Sequence, residues 1–549
     1  MLTLLFLLAL GAFILAYFVY GNFLNKKFDL NDGRPTPAHS EYDGMDRVPT
    51  HKAVLLGHHF SSIAGAGPIV GPIVAASAFG WGPTLIWVVL GAIFIGGVHD
   101  FSALIASVRH QGRSIATIAR ETMSPLAYKL MLVFIWLALI YVLVVFTDLT
   151  SATFIADGGV ASSSLLFMLL AVGFGLAVYR LKIKVWRASL LFVPLVFLAV
   201  WVGQQIPLQA QHIPVLLGGD PANTWDIILI LYCFIASTTP VWILLQPRDY
   251  LSSYLLYASV LGGFLGILFG GLSISFPALT AWTHPQLGSL FPILFITVAC
   301  GSCSGFHAVV ASGTSSKQLD RESDARPVGY GAMLIEGTVA VMALITVMIL
   351  AKNDPLLAQA PLVIYGRGMG RFLAALGLPE KFGYAFGLLA LSTFILTTLD
   401  TCTRLGRYIF EEFFNLKGPR SRYFSTLATL ALPAVFVLIT LKDAQGKAIP
   451  AWKAIWPVFG ASNQLLAALT LLVITLWIRK MGKKFIFTLL PMLFMITMTL
   501  WSLLLLIGQY RLSAIGLIAV ILLLLALLLI VEAFRSLRAP KDNLNGKTA

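Results

Sequence analysis

Charge is what this sequence has little of. Only 11% of its 549 residues are Asp, Glu, Lys or Arg, against about 25% in a soluble domain. So few charged groups cannot cover a water-facing surface of this size, which excludes an ordinary soluble fold. Cysteine is scarce too. Cys233, Cys300, Cys303 and Cys402 all lie within or at the end of apolar runs, which excludes a secreted disulfide framework. No Gly-x4-Gly-Lys-Ser/Thr phosphate loop occurs, which excludes a primary pump with its own nucleotide site. The longest breaks between apolar runs are 21–51 and 352–382, neither long enough for a folded catalytic domain. The second contains Gly366-Arg367-Gly368-Met369-Gly370. This departs from the dinucleotide-binding Gly pattern and lacks a βαβ setting, so it is read as a flexible loop with a short interfacial helix. No enzyme activity, cofactor or metal is expected.

What is present is hydrocarbon: 58% of residues are hydrophobic and the mean hydropathy is +0.87. A helix needs about 20 apolar residues to cross a bilayer, and such runs recur along nearly the whole length. They predict an all-α polytopic membrane protein forming one unit over 1–549, with about fifteen spans. These are 2–20, 52–78, 83–108, 128–149, 163–180, 186–203, 225–247, 253–275, 289–311, 329–351, 383–403, 423–441, 454–478, 485–507 and 512–534. The first lacks a basic leading segment and reads as a spanning helix rather than a cleaved signal.

The net charge of +14 would invite a nucleic-acid partner in a soluble protein. Here the basic residues sit in short breaks between apolar runs, where they orient the chain and meet anionic lipid headgroups. Placing the N-terminus outside puts 30 of the 38 Lys and Arg in alternate, inward-facing segments. An error of one helix in mid-chain would spoil that asymmetry. The C-terminal Arg535, Arg538, Lys541 and Lys547 then fall on the cytoplasmic side.

Two spans look broken. His58-His59-Phe60-Ser61-Ser62-Ile63-Ala64-Gly65-Ala66-Gly67-Pro68 continues to Gly71-Pro72, and Ala236-Ser237-Thr238-Thr239-Pro240 is a milder case. Each proline removes a backbone hydrogen bond and clashes with the preceding turn. Pro68 suits the start of a second half-helix, where its missing N–H is harmless. The first span starts inside and the other outside, five helices later. Such a pair points to inverted repeats at 52–203 and 225–403, with 423–534 as added helices. Half-helix ends can hold a cation on freed carbonyls or a carboxylate on freed amides. Gly and Pro are also common in membrane helices generally, where Gly permits close packing.

Ionisable groups inside spans are costly and mark function by default. The set is His58, His59, His99, Asp100, Asp148, Asp226, His307, Glu336 and Asp400. Asp148 and Asp226 lie near external ends and are expected to be solvated. His99 and Asp100 are adjacent and need not pair. Asp400 has a helical partner available in Arg404. Proton exchange is predicted through some of His58, His59, His99, Asp100, His307, Glu336 and Asp400. Cys300, Cys303 and His307 share one helical face, so a soft-metal site is conceivable, as is haem ligation by facing histidines. A small-residue lining of a substrate path is the simpler alternative for that stretch.

The residues resemble the carbon starvation protein A family. The resemblance rests on Gly57-His58-His59-Phe60-Ser61-Ser62-Ile63-Ala64-Gly65-Ala66-Gly67-Pro68 and Gly96-Gly97-Val98-His99-Asp100. It extends through Ser304-Gly305-Phe306-His307 to Ser316-Lys317-Gln318-Leu319, and through Thr397-Thr398-Leu399-Asp400 to Arg404-Leu405-Gly406-Arg407-Tyr408. Trp456-Pro457-Val458-Phe459-Gly460-Ala461-Ser462-Asn463-Gln464-Leu465-Leu466 adds a fifth stretch. The resemblance implies a bacterial inner-membrane transporter linked to carbon starvation, taking up peptides or, in some members, pyruvate with protons. It also implies a LeuT-type fold of five plus five inverted helices. The resulting expectation is a central substrate site between the second and seventh spans, completed by the fourth and ninth. Ser61, Gly65, Gly67, Pro68, Ser237, Thr238, Thr239, Pro240 and Ser304 would contact substrate. A membrane redox protein binding haem or quinone, and a nutrient sensor, are the alternatives.

Overall fold

Apolar runs become helices because a backbone surrounded by hydrocarbon has to satisfy its own N–H and C=O groups. The computed structural model describes residues 1–549 other than 45–46, 210–219, 241–242, 286, 419, 440, 443–447 and 539–549. Lys541 and Lys547 therefore lie outside the described residues. Among those described, twelve helices are long and apolar enough to cross a membrane, and one bent pair makes thirteen.

In chain order, α1 is Leu2–Phe28, and the bent pair is α2 (Lys52–Ile63) with α3 (Gly67–Phe79), turned by 47°. Then follow α4 (Trp81–Arg109), the short α5 (Ile115–Thr122), α6 (Pro125–Ala156), α7 (Gly158–Arg180) and α8 (Val185–Gln205). Next are α9 (Pro221–Thr238), α10 (Leu245–Phe269), and the separated α11 (Leu290–Thr297) and α12 (Gly305–Gly313). The remainder are α13 (Glu322–Met348), α14 (Pro361–Ala374), α15 (Glu380–Phe414), α16 (Ser421–Leu438), α17 (Ala451–Lys480), α18 (Ile486–Tyr510) and α19 (Ala514–Arg538).

Two of the expected spans differ from the expectation. The run at 225–247 is α9, which ends at Thr238, so Pro240 lies in the connection to α10 and breaks no helix. The run at 289–311 is instead divided, with 298–304 non-helical between α11 and α12. The Gly366–Gly370 segment is no flexible loop. It lies inside α14, which packs along α15 with Gly366, Gly368 and Gly370 buried.

The series of elements after each break is alike. After α2–α3 come α4 with a π-helical turn (Ala92–Gly96), the short α5, the 32-residue α6, the 18-residue α9 and α10. After α11–α12 come α13 with a π-helical stretch (Arg326–Gly331), the short α14, the 35-residue α15, the 18-residue α16 and α17. The hairpin of α7 and α8 interrupts the first series. The two longest helices, α6 and α15, pack on each other, as do α9 and α16.

Burial follows position in the bundle. The apolar central window of α17 is 100% buried, while those of α8 and α1 are 22% and 28% buried. Helices α1, α8, α18 and α19 therefore present Leu, Ile and Phe outward, a surface suited to lipid tails rather than water.

Loops sort onto two faces by alternation. On one face Arg109, the last residue of α4, donates to Phe28 O at 2.7 Å and pairs with Glu322, at the start of α13, at 3.0 Å. The segment after α1 is tied there as well. Thr36 donates to Leu319 O at 2.6 Å, and His39 meets Asp320 at 2.8 Å. Asp29 pairs with Lys483, whose ammonium holds that carboxyl below its ordinary range. On the other face, Gly82 N donates to Ala278 O at 2.8 Å and Leu208 N to Gly158 O at 3.0 Å.

Candidate functional site

The two helix breaks face one another. At the first, Ala64 closes α2 and Pro68 sits in the first turn of α3, where its lack of an N–H is tolerated. A side chain on Gly67 would occupy the space of Cys300, and a Cβ on Gly71 would lie 2.6 Å from Thr297 O. Gly301 in turn lies against Pro68. Glycine is required at 71 because the backbone of the other broken helix approaches this closely, and at 67 because the Cys300 side chain fills the space. A Cβ on Gly65 would meet Phe146 of α6 at 2.7 Å and Thr398 Oγ1 of α15 at 3.0 Å. The first break thus looks toward α6 and α15, and the second lies behind it.

The second break is braced from α17. Asn463 Oδ1 accepts from Phe306 N at 3.0 Å, and Asn463 Nδ2 donates to Ser304 Oγ at 3.1 Å. Gln464 Nε2 donates to Phe295 O at 3.0 Å. One side chain therefore caps the start of α12 while its neighbour satisfies a carbonyl near the end of α11. These are the orphan backbone groups that a broken helix leaves.

Beside the breaks runs a chain of four titratable side chains from three helices. His99 Nδ1 lies 2.7 Å from Asp100 Oδ1, and His307 Nδ1 lies 2.7 Å from Asp100 Oδ2. His307 Nε2 continues to Glu336 Oε2 at 3.2 Å. All four side chains are fully buried. His99 and Asp100 do pair despite being neighbours, because the carboxylate sits between two imidazoles and uses one oxygen for each. An ionised Asp100 accepts from both Nδ1–H groups, and His307 Nε2 faces Glu336 at ion-pair distance without the alignment of a hydrogen bond. Either imidazolium meets carboxylate, or neutral imidazole accepts from a carboxylic acid. Without a proton on either group, a lone pair would face a buried carboxylate, an unfavourable state in a low-dielectric interior. His307 is thereby committed to carboxylates at both ring nitrogens, and among the described residues no group of three or more His, Cys, Asp or Glu is placed to hold a metal ion.

The other expected residues divide. His59 is buried with Nδ1 2.7 Å from Ser315 Oγ, and its Nε2 has no hydrogen-bond partner. Half-buried His58 lies 3.5 Å from Asp249. Ser61 and Ser62 turn their hydroxyls back onto His58 O at 3.1 and 2.8 Å. Asp400 is paired not with Arg404 but with Arg248 of α10, and also accepts from Tyr232 OH at 2.7 Å. Arg248 is completely buried and further donates to Thr397 Oγ1 at 3.2 Å. Arg404 instead donates to Ala236 O and Thr239 O at 2.8 and 2.9 Å, and Arg407 to Ser237 O at 2.9 Å.

Ser237, Thr238, Thr239 and Pro240 therefore stand at the C-terminal end of α9 and not at the central break. Arg404 and Arg407 lie six and nine residues beyond Thr398 along α15, about 9 to 14 Å at the helical rise. Asp148 and Asp226 are not solvated either. Both are buried, and Asp148 caps α17 by accepting from Trp452 N at 2.6 Å. Sequence reasoning missed Arg248 and Asp249, which sit at an apparent span end and read as loop charges.

A cavity of about 830 Å³ opens on the face away from the Arg109–Glu322 contact, between α3, α6, the segment before α14 and the start of α17. Ser77, Asp148, Ser151, Lys352, Trp452 and Lys453 contribute to its walls. It descends along α3 as far as Ile73, seven residues or about 10 Å above the break at Ala66.

Twelve or thirteen apolar spans among the described residues, with facing breaks and a buried chain of titratable side chains, make a multi-pass membrane protein built around an interior polar site. The chain belongs to the carbon starvation protein CstA family, whose profile matches residues 1–361 and 353–502. It is 34% identical over 527 residues to the peptide transporter CstA of Bacillus subtilis, covering 86% of this chain and 84% of that one. It is 31% identical over 580 residues to the pyruvate/proton symporter BtsT of Escherichia coli, covering 90% and 80%. A manganese transporter of Eremococcus coleocola superposes with a TM-score of 0.44 at 15% identity, covering 91% of this chain and 98% of that one.

Proposed function

We propose that this chain is a secondary active transporter of the bacterial inner membrane, importing a peptide or a small carboxylate such as pyruvate together with protons. The observation that carries the reading is the sealed His99–Asp100–His307–Glu336 chain lying beside two facing helix breaks. A buried site that holds one exchangeable proton next to freed backbone groups joins the two requirements of a symporter in one place. Family membership and the names of the relatives support the same reading.

The substrate would lie at Gly65, between the first break, Phe146 and Thr398, with the outer cavity as its approach. The alternating distribution of Lys and Arg supports an N-terminus outside and a cytoplasmic C-terminus. The like order of elements after each break supports inverted repeats of the LeuT type. The second repeat then begins at α11, near residue 290, rather than at 225, and the hairpin α7–α8 is an insertion in the first.

The test is uptake of labelled pyruvate and of a labelled dipeptide into proteoliposomes, with and without an inward proton gradient. Accumulation of one, abolished when the gradient is collapsed, is the expected result. No uptake of either by folded protein overturns the substrate assignment, and accumulation indifferent to the gradient overturns the proton.

A further inference from the structure

At the C-terminal end of α9, on the face that carries the Arg109–Glu322 contact, lies a second pocket of about 440 Å³. Arg404 and Arg407 of α15, Lys417 of the following turn and Arg422 of α16 contribute four cationic groups to its lining, against the single carboxylate of Glu411. That carboxylate is already engaged, accepting from Ser421 Oγ at 3.3 Å. Arg407 is nine-tenths buried. One of its terminal nitrogens holds Ser237 O, while its Nε and that of Arg404 are buried with no hydrogen-bond partner among the described residues. Buried N–H donors beside a cavity call for an acceptor. An excess of positive charge calls for an anion, and guanidinium groups match the paired oxygens of a phosphate.

We propose that this pocket is a phosphate-binding site for the headgroup of an anionic membrane lipid. The flank of the pocket argues for a lipid as the source. Tyr408, Phe413 and Phe414 at the end of α15, and Tyr423, Phe424 and Leu427 at the start of α16, are all exposed. Aromatic rings at a helix end mark the headgroup level, and the apolar face of α16 beyond them offers a path for acyl chains. Two helices of the transport core, α9 and α15, meet at this pocket through Arg404 and Arg407. A phosphate bound there complements the charge that those two arginines bring to the end of α9. The site is separate from the break at Gly65 and does not depend on which solute is carried.

The experiment is native mass spectrometry of the purified, delipidated chain titrated with phosphatidylglycerol, with phosphatidylcholine as the neutral control. Variants Lys417→Gln/Arg422→Gln and, keeping charge, Lys417→Arg/Arg422→Lys are compared with the parent. Two juxtamembrane charges together correspond to roughly tenfold to thirtyfold in affinity. The expected result is that loss for phosphatidylglycerol in the neutral variant, retention in the charged one, and no preference change for phosphatidylcholine. Inorganic phosphate is added in a second arm. If it binds the parent as tightly as phosphatidylglycerol and is lost in the neutral variant, the phosphate site stands with a soluble anion as its source. Equal phosphatidylglycerol binding by parent and neutral variant overturns the proposal. So does displacement of the lipid by pyruvate where inorganic phosphate has no effect.

Discussion

His307 Nε2 lies 3.2 Å from Glu336 Oε2, and neither side chain reaches solvent. With Asp100 engaging the other imidazole nitrogen, that ion-pair contact is favourable only while one of the two groups carries a proton. Glu336→Gln removes the exchangeable proton while keeping the size and a hydrogen-bonding group. With one proton per solute, a gradient of one pH unit supports accumulation of about tenfold. The parent is expected to approach that ratio in proteoliposomes. Glu336→Gln is expected to stop near a ratio of one yet still exchange labelled for unlabelled solute. Concentrative uptake by the variant would remove Glu336 from coupling.

The contact of Gly67 with Cys300 leads to a packing prediction. A methyl group at 67 has no room while Cys300 keeps its side chain. Gly67→Ala is expected to destabilise the protein by about 1 to 3 kcal/mol, the usual range for overpacking, read as a lowered melting temperature in detergent. Cys300→Gly in the same chain removes the opposing Cβ and Sγ and is expected to restore most of the loss. A double variant no more stable than Gly67→Ala would show that the breaks do not meet at these residues.

These two cases also show why the breaks were unequally legible in the sequence. The first announces itself locally, since Gly67, Pro68, Gly71 and Pro72 weaken the helix where they stand. The second has no proline between Val298 and Ser304. Its orphan groups are satisfied by Asn463 and Gln464, some 160 residues later, a non-local cause that no window over α11 contains. Pro240 gave the opposite error, because a proline just past a helix end looks like one inside a helix when the connection is short. The members of the His99–Asp100–His307–Glu336 chain were individually legible as expensive groups in apolar runs. Their contact was not, because it joins α4, α12 and α13.

Asp400 illustrates the same limit and can be tested directly. Its partner is Arg248, and both are fully buried. Removing one member of a buried ion pair typically costs about 3 to 5 kcal/mol, because the other charge is left uncompensated, whereas replacing both with apolar groups can be nearly neutral. Asp400→Leu and Arg248→Met singly are therefore expected to cut the yield of folded protein sharply, and the double variant to recover it. If the recovered double variant still accumulates solute against a proton gradient, Asp400 is a structural partner. Full recovery of folding with loss of coupling alone would return Asp400 to the proton path.

Asn463 carries the last prediction, because one amide serves two separate acts of the second break. Its Oδ1 caps Phe306 N at the start of α12, and its Nδ2 donates to Ser304 Oγ. Asn463→Ala leaves the Phe306 N–H buried without an acceptor, at a cost of about 1 to 3 kcal/mol, and also opens a void beside Ser304 and Cys300. Asn463→Asp keeps the acceptor at Oδ1 but, once ionised, loses the donor and introduces a buried charge beside Ser304 and Cys300. The two variants are therefore expected to fail differently. Asn463→Ala should lower the melting temperature at every pH. Asn463→Asp should be close to the parent at low pH, where its carboxyl is neutral, and fall behind as pH rises and the new charge has no cation to meet. Parallel loss in both variants across pH would mean that the Nδ2 donation to Ser304 Oγ, which both lose, and neither the cap nor the new charge, sets the tolerance of this position.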